Sequence, residues 1–72
     1  RRSASAMDAL SRQERDVARR LAKGETMTAI AQAMGVSVKT ASTYRTRAMR
    51  KLGISTTSGL IRYMLERGLA DM

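Results

Sequence analysis

Apolar side chains recur along this chain at intervals of three and four rather than two, in four blocks that each close on a glycine, which predicts helices throughout. In the first block Val17, Ala18 and Leu21, with Leu10 ahead of them, form an inward stripe, while Arg12, Arg15, Arg19 and Lys23 project outward. Ser11 followed by Glu14 has the spacing of a capping box, so this helix starts at about Arg12, and Gly24 stops it after Lys23. The second block, Met27 to Met34, follows Thr26 as its cap, can bury Ile30, Ala31 and Met34, and ends at Gly35. Ser37 caps a third helix running to Leu52. There Ala41, Ala48 and Leu52 fall on one side, and Lys39, Ser42, Thr43, Thr46, Arg47 and Arg50 on the other. Gly53 stops it, and the Ser-Thr-Thr-Ser cluster after Ile54 starts a fourth helix, about Thr57 to Arg67, with Leu60, Tyr63 and Met64 as a core stripe. Gly68 ends that helix and Leu69 is expected to fold back. The fold class is therefore all-α, a four-helix bundle-like domain in which helices two and three, about three residues apart, form a helix-turn-helix.

At 72 residues the chain has room for one domain, which removes only about 60% of its unfolded surface from water. Residues 1–9 are expected to be a flexible linker remnant with Met7 the one side chain able to reach the core, and residues 10–72 the domain. Arg1 in place of an initiator Met, and the Arg-Ser-Ala-Ser-Ala that follows, read as the tail of a linker from a longer protein. Without cysteine there is no disulfide or thiolate-metal chemistry, and no apolar run approaches the roughly 20 residues that span a bilayer, so the expected location is the cytoplasm and no membrane is involved. Without histidine, and with only six carboxylates, the usual general bases and metal ligands are missing. The expectation is no enzyme, no metal and no cofactor.

The net charge of +8 matters for where it lies. Between Glu25 and Glu66 there is no acidic residue, while Lys39, Arg45, Arg47, Arg50, Lys51 and Arg62 fall inside that window. Such a field draws polyanions, with counterion release from phosphates as the main contribution to affinity. A helix of about 15 residues is roughly 22 Å long, enough to cross the major groove, and its short hydroxyl side chains allow close approach to base edges. Helix three is thus read as inserted into duplex DNA. The free amides and hydroxyls of Thr26 and Thr28 at the start of helix two suit a phosphate, alongside ordinary capping. The basic row on helix one reads as a solvated face. Helix four carries a second apolar edge, Ile61 and Leu65 with Ser58 beside them, which predicts a partner surface. It is well below the roughly 1,000 Å² of a stable interface, so the expected assembly is a homodimer on DNA that is weak in solution.

The succession LSRQERDV, LAKGETMTAIAQAMGVSVKTASTY, MRKLGI and LIRYMLERGL resembles the LuxR-type DNA-binding domain found at the C-terminus of many bacterial quorum-sensing and two-component regulators. Glu14, Val17, Gly24, Ile30, Ala31, Ser37, Thr40, Lys51, Leu52, Leu60 and Gly68-Leu69 fall where that family's motif places them, over about residues 10–69. The resemblance implies DNA reading by helix three and dimerisation through helix four. It implies base contacts from Ser42, Thr43 and Thr46, and backbone proximity for Lys39, Thr40, Tyr44, Arg45 and Lys51. The partners expected of such a regulator are duplex DNA, a second copy of the chain and RNA polymerase. Gln13 replaces the family's usual Arg, Tyr44 a frequent His, and Ala41 and Ala48 branched aliphatics, the last two at about 1 to 2 kcal/mol of burial each. Thr57 and Gly59 are unusual at the start of helix four, where Gly costs up to about 1 kcal/mol relative to Ala. Two other readings stay open. One is the fourth region of a sigma factor, a related helix-turn-helix that normally ends soon after a helix resembling RAMRKL; the other is a helical protein-interaction module with no nucleic-acid role.

Overall fold

Four of the chain's hydroxyl side chains each open a helix by accepting a first-turn amide that has no carbonyl partner of its own. In the computed structural model, which describes residues 6–68 with side chains from Asp8 onward, these helices are α1 (Arg12–Ala22), α2 (Met27–Met34), α3 (Val38–Leu52) and α4 (Thr57–Glu66). Ser11 Oγ accepts from the Glu14 amide at 3.1 Å, Thr26 Oγ1 from Ala29 at 3.1 Å, Ser37 Oγ from Thr40 at 3.0 Å and Thr56 Oγ1 from Gly59 at 2.9 Å. Glu14 completes the capping box, its carboxylate accepting from the Ser11 amide at 2.8 Å. The predicted boundaries hold to within a residue, α1 and α4 each closing one residue early.

The turn between α2 and α3 depends on Gly35. At φ +70° it occupies the left-handed region, which lets the Val36 amide reach back to the Ala31 carbonyl at 3.0 Å and ends α2 there. α3 then packs on both α1 and α2, and α4 packs on α1. The core these contacts enclose is built from Leu10, Val17, Ala18, Leu21, Ile30, Ala31, Ala41, Ala48, Leu60 and Met64. A short 3-10 turn, Ala6–Ala9, lies against α3 inside the segment read from sequence as linker. The expected return of the Met7 and Leu69 side chains to the core falls outside the described residues.

In two places α4 differs from the stripe the sequence suggests. Tyr63 is only half-buried, with the Arg67 guanidinium 4.1 Å above its ring, and Ile61 packs partly against the core instead of standing free. Leu60 and Met64 are fully buried with Ile61 and Tyr63 both packed partly buried against the core, so the spare apolar edge of α4 narrows to Leu65, 56% exposed. Gly59, which propensity alone marks as a weakness, has a steric reason. A Cβ there would lie 2.9 Å from Ile54 Cγ2 and 3.1 Å from Thr56 Oγ1, the second of these being the capping oxygen. Gly59→Ala should therefore destabilise the domain by about 1–3 kcal/mol, the range for overpacking, instead of stabilising it as helix propensity would. Urea unfolding followed by circular dichroism checks the sign, and a raised midpoint would show that Ile54 moves aside without cost.

Candidate nucleic-acid interface

The inner face of α3 packs into the core and leaves its outer face to solvent. Ala41 and Ala48 are fully buried, and Tyr44, Met49 and Leu52 pack partly buried against the core, on the side where α3 meets α1 and α2. On the opposite side Val38, Lys39, Ser42, Thr43, Thr46, Arg47 and Arg50 line one shallow open groove along the helix. Lys39, Thr43, Thr46, Arg47 and Arg50 are exposed and Ser42 is half-buried. Among the described residues none of the three cations in this row meets a carboxylate. Such a row can attract phosphates with its cations and approach base edges with its short hydroxyls.

Hydrogen bonds within α3 already engage some of these groups. The Thr43 hydroxyl donates to the Lys39 carbonyl at 3.1 Å. The Arg45 guanidinium donates from Nη2 to Ser42 Oγ at 3.0 Å, while its buried Nε has no hydrogen-bond partner among the described residues. Arg45 thus lies along the helix beside Met49 and Ile54, at the approach to α4. Ser37 donates its own hydroxyl to Thr40 Oγ1 at 3.0 Å, which leaves the Thr40 proton free for an outside acceptor. Tyr44 is half-buried against the core. Thr26 and Thr28 are exposed at the start of α2, Thr26 with its oxygen committed to capping.

Lys51 has a role that sequence spacing did not indicate. Its ammonium donates to Glu14 Oε1 at 2.8 Å, tying the C-terminal turn of α3 to the capping box of α1. Glu14 is 3% exposed, and its partner lies 37 positions away, a distance that neither periodicity nor capping rules can span. Burial on its own would raise the Glu14 pKa. The Lys51 ammonium and the Ser11 amide together outweigh it and hold the carboxyl below its ordinary value. On α1, Asp16 engages Arg19 at 2.6 Å and Arg20 at 3.3 Å, and Arg20 also reaches Glu25 at 3.2 Å, which neutralises part of the basic row there.

Of the residues predicted from sequence, the structure therefore brings Lys39, Ser42, Thr43, Thr46, Arg47 and Arg50 together on one face. Tyr44, Arg45 and Lys51 are partly occupied elsewhere. Val38, 47% exposed at the lip of the same groove, was missed because a valine counts as core in a periodicity reading. Its position one turn before Ser42 was the available signal. On α4, Ser58 and Leu65 are exposed and Ile61 is half-buried.

Residues 8–64 match the family described as bacterial regulatory proteins, luxR family. The chain is 41% identical over 64 residues to the transcriptional regulatory protein MctR of Rhizobium johnstonii, covering 89% of this chain and 30% of that one. It is 41% identical over 59 residues to the transcriptional regulatory protein UhpA of Escherichia coli, covering 82% and 30%. It is 46% identical over 55 residues to a putative transcriptional regulator of Pseudomonas aeruginosa, covering 76% and 27%. The chain thus spans about a third of the length of the curated relatives it matches. No solved structure matches it significantly.

Proposed function

We propose, because this chain belongs to the luxR family of bacterial regulatory proteins, that α3 enters the major groove of duplex DNA and reads its sequence there. The chain is a helix-turn-helix domain of DNA-binding transcription regulators, which is not an enzyme class. The observation that carries the finer reading is the outer row of α3, three cations with no carboxylate partner among the described residues and three short hydroxyls on one face. In this reading Lys39, Arg47 and Arg50 neutralise phosphates and set register, with Thr26, Thr28 and Thr40 as further backbone donors. Ser42, Thr43 and Thr46 read bases. Tyr44, Arg45 and Lys51 contribute to backbone binding only as far as their internal contacts leave them free. The presence of a fourth helix packed on α1 favours this over a sigma region-four module.

Two copies are proposed to bind side by side, since one recognition helix makes too few base contacts to select among many competing sites. Leu65, with Ser58 and the edge of Ile61, offers a contact too small to hold a dimer in solution, so DNA would bring the copies together. A regulator built this way acts in the cytoplasm, joins the domain to a sensor and has RNA polymerase as its downstream partner.

Selection of bound duplexes from a random pool tests the reading. A recovered consensus that survives excess unrelated competitor is expected, and failure to enrich any sequence would contradict it. Leu65→Glu should leave the fold and single half-site binding intact while abolishing cooperative occupancy of two half-sites, because the new carboxylate stands in solvent in the monomer and in the contact in the pair. Undiminished cooperativity in that variant would move the pairing surface off α4.

A further inference from the structure

The groove along α3 contains hydroxyl groups whose hydrogen-bonding capacity is already divided between the protein and the outside. A carbonyl oxygen has no proton to give, so the 3.1 Å contact between Thr43 Oγ1 and the Lys39 carbonyl uses the Thr43 proton. A guanidinium can only donate, so the 3.0 Å contact from Arg45 Nη2 to Ser42 Oγ uses one Ser42 lone pair and leaves the Ser42 proton, with one lone pair, uncommitted. Of these two neighbouring hydroxyls only Ser42 still has a proton to offer to whatever enters the groove. Thr46, exposed in the same groove, can still either donate or accept, since no hydrogen bond within the described residues engages its hydroxyl.

We infer that these internal bonds set the polarity of base readout, so that Ser42 acts as a donor to a base-edge acceptor and Thr43 reads a thymine methyl through its own. The inference rests on the DNA reading proposed above. For Ser42 the groups in the major groove that can take the free proton are purine N7, guanine O6 and thymine O4; the amines of cytosine and adenine, being donors themselves, cannot take it. For Thr43 the hydroxyl is turned back along the helix toward a carbonyl four residues earlier, which leaves the γ-methyl as the group facing outward from an exposed position. The one apolar group on a base edge in the major groove is the thymine C5-methyl. Arg45 is then a positioning residue. It touches Ser42 and fixes which way the hydroxyl points, a role distinct from neutralising phosphate.

The experiment uses the consensus duplex recovered by selection with this domain, with single positions replaced by base analogues and affinity read by fluorescence anisotropy. For wild type, one thymine-to-uracil replacement per half-site should weaken binding about three- to fivefold, what burying a methyl is worth. Thr43→Val, which keeps the methyl and loses the hydroxyl, should retain that penalty, and Thr43→Ser, which does the reverse, should lose it. At a second position a 7-deazapurine or a change to cytosine should cost about five- to tenfold in wild type and nothing further in Ser42→Ala, the value of one hydrogen bond. Arg45→Met should flatten discrimination at the Ser42 position while leaving the uracil penalty unchanged, an outcome that simple loss of phosphate contact would not produce. The inference is overturned if Thr43→Ser keeps the uracil penalty, or if the Ser42-dependent position turns out to prefer a base offering only an amine. If no consensus is recovered at all, the DNA reading itself falls and this inference with it. Circular dichroism on each variant separates loss of reading from loss of fold.

Discussion

Replacing Lys51 with Met is expected to cost the domain about 2–4 kcal/mol at neutral pH, because it strands a buried carboxylate without its counter-charge. The full penalty for breaking a buried pair is reduced here because only one partner is deeply buried: Glu14 is 3% exposed, whereas the Lys51 side chain is 41% exposed. A chain of 72 residues has only about 4–11 kcal/mol of total stability, so the loss is a large share of it. Its pH dependence identifies the cause. In the wild type the Glu14 pKa is held below its ordinary value, with burial opposing and the Lys51 ammonium and Ser11 amide prevailing. A depressed folded pKa contributes stability that is present above the unfolded value of about 4.3 and is lost as pH falls through the folded value. Without Lys51 the ammonium's share is gone and burial pushes the carboxyl up, so the variant's folded state gains by taking a proton as pH falls. The deficit should thus shrink between about pH 7 and about pH 4. Urea unfolding of both proteins at the two pH values measures it. An equal deficit at both would assign the loss to packing of the Lys51 stem instead.

Fourfold more salt should weaken binding to any duplex by about 40- to 500-fold, from a slope of about −0.9 per phosphate contact and three to five contacts per domain. The lower bound counts Lys39, Arg47 and Arg50, which stand exposed on the outer face of α3. The upper bound adds Arg45 and Lys51, which first have to turn from Ser42 and Glu14. Anisotropy titrations over a salt series give the slope directly. About −3 per domain means that Lys51 and Arg45 keep their internal partners, about −4.5 that both swing to phosphate, which would also take Arg45 off Ser42 and count against its positioning role, and a slope near zero would remove the polyanion reading.

Local rules make most of this architecture legible in the sequence. Hydroxyl caps, glycine stops and three-to-four spacing are written in residues one turn apart, and Ser11, Thr26, Ser37, Gly35 and Gly53 all behave as those rules require. The outward row of α3 was equally readable, since angular position on a regular helix follows from spacing alone. What escaped depends on contacts between distant segments. Glu14 served its capping role as read, yet the same carboxylate is also the anchor of Lys51, which the family resemblance assigned to the DNA backbone. Ile61 joins Tyr63 in packing partly against the core because the breadth of the face that α4 buries depends on what it packs against, and Gly59 is unfavourable by propensity yet required because Ile54 fills the space a Cβ would need. The division of hydroxyl bonds between Ser42 and Thr43 depends on rotamers, to which spacing is blind.

The central claim is that the outer face of α3 reads bases, and the most direct test is the variant Ser42→Ala/Thr43→Ala/Thr46→Ala titrated against the selected duplex and an unrelated one of equal length. Alanine is the best helix former, so α3 should persist, and the cations that meet phosphate are untouched. The predicted result is a fall in the selected-over-unrelated affinity ratio by about 100-fold or more, from about 1–2 kcal/mol of discrimination per residue, with affinity for the unrelated duplex changed by no more than about threefold. A variant that still ranks the two duplexes as the wild type does would contradict it.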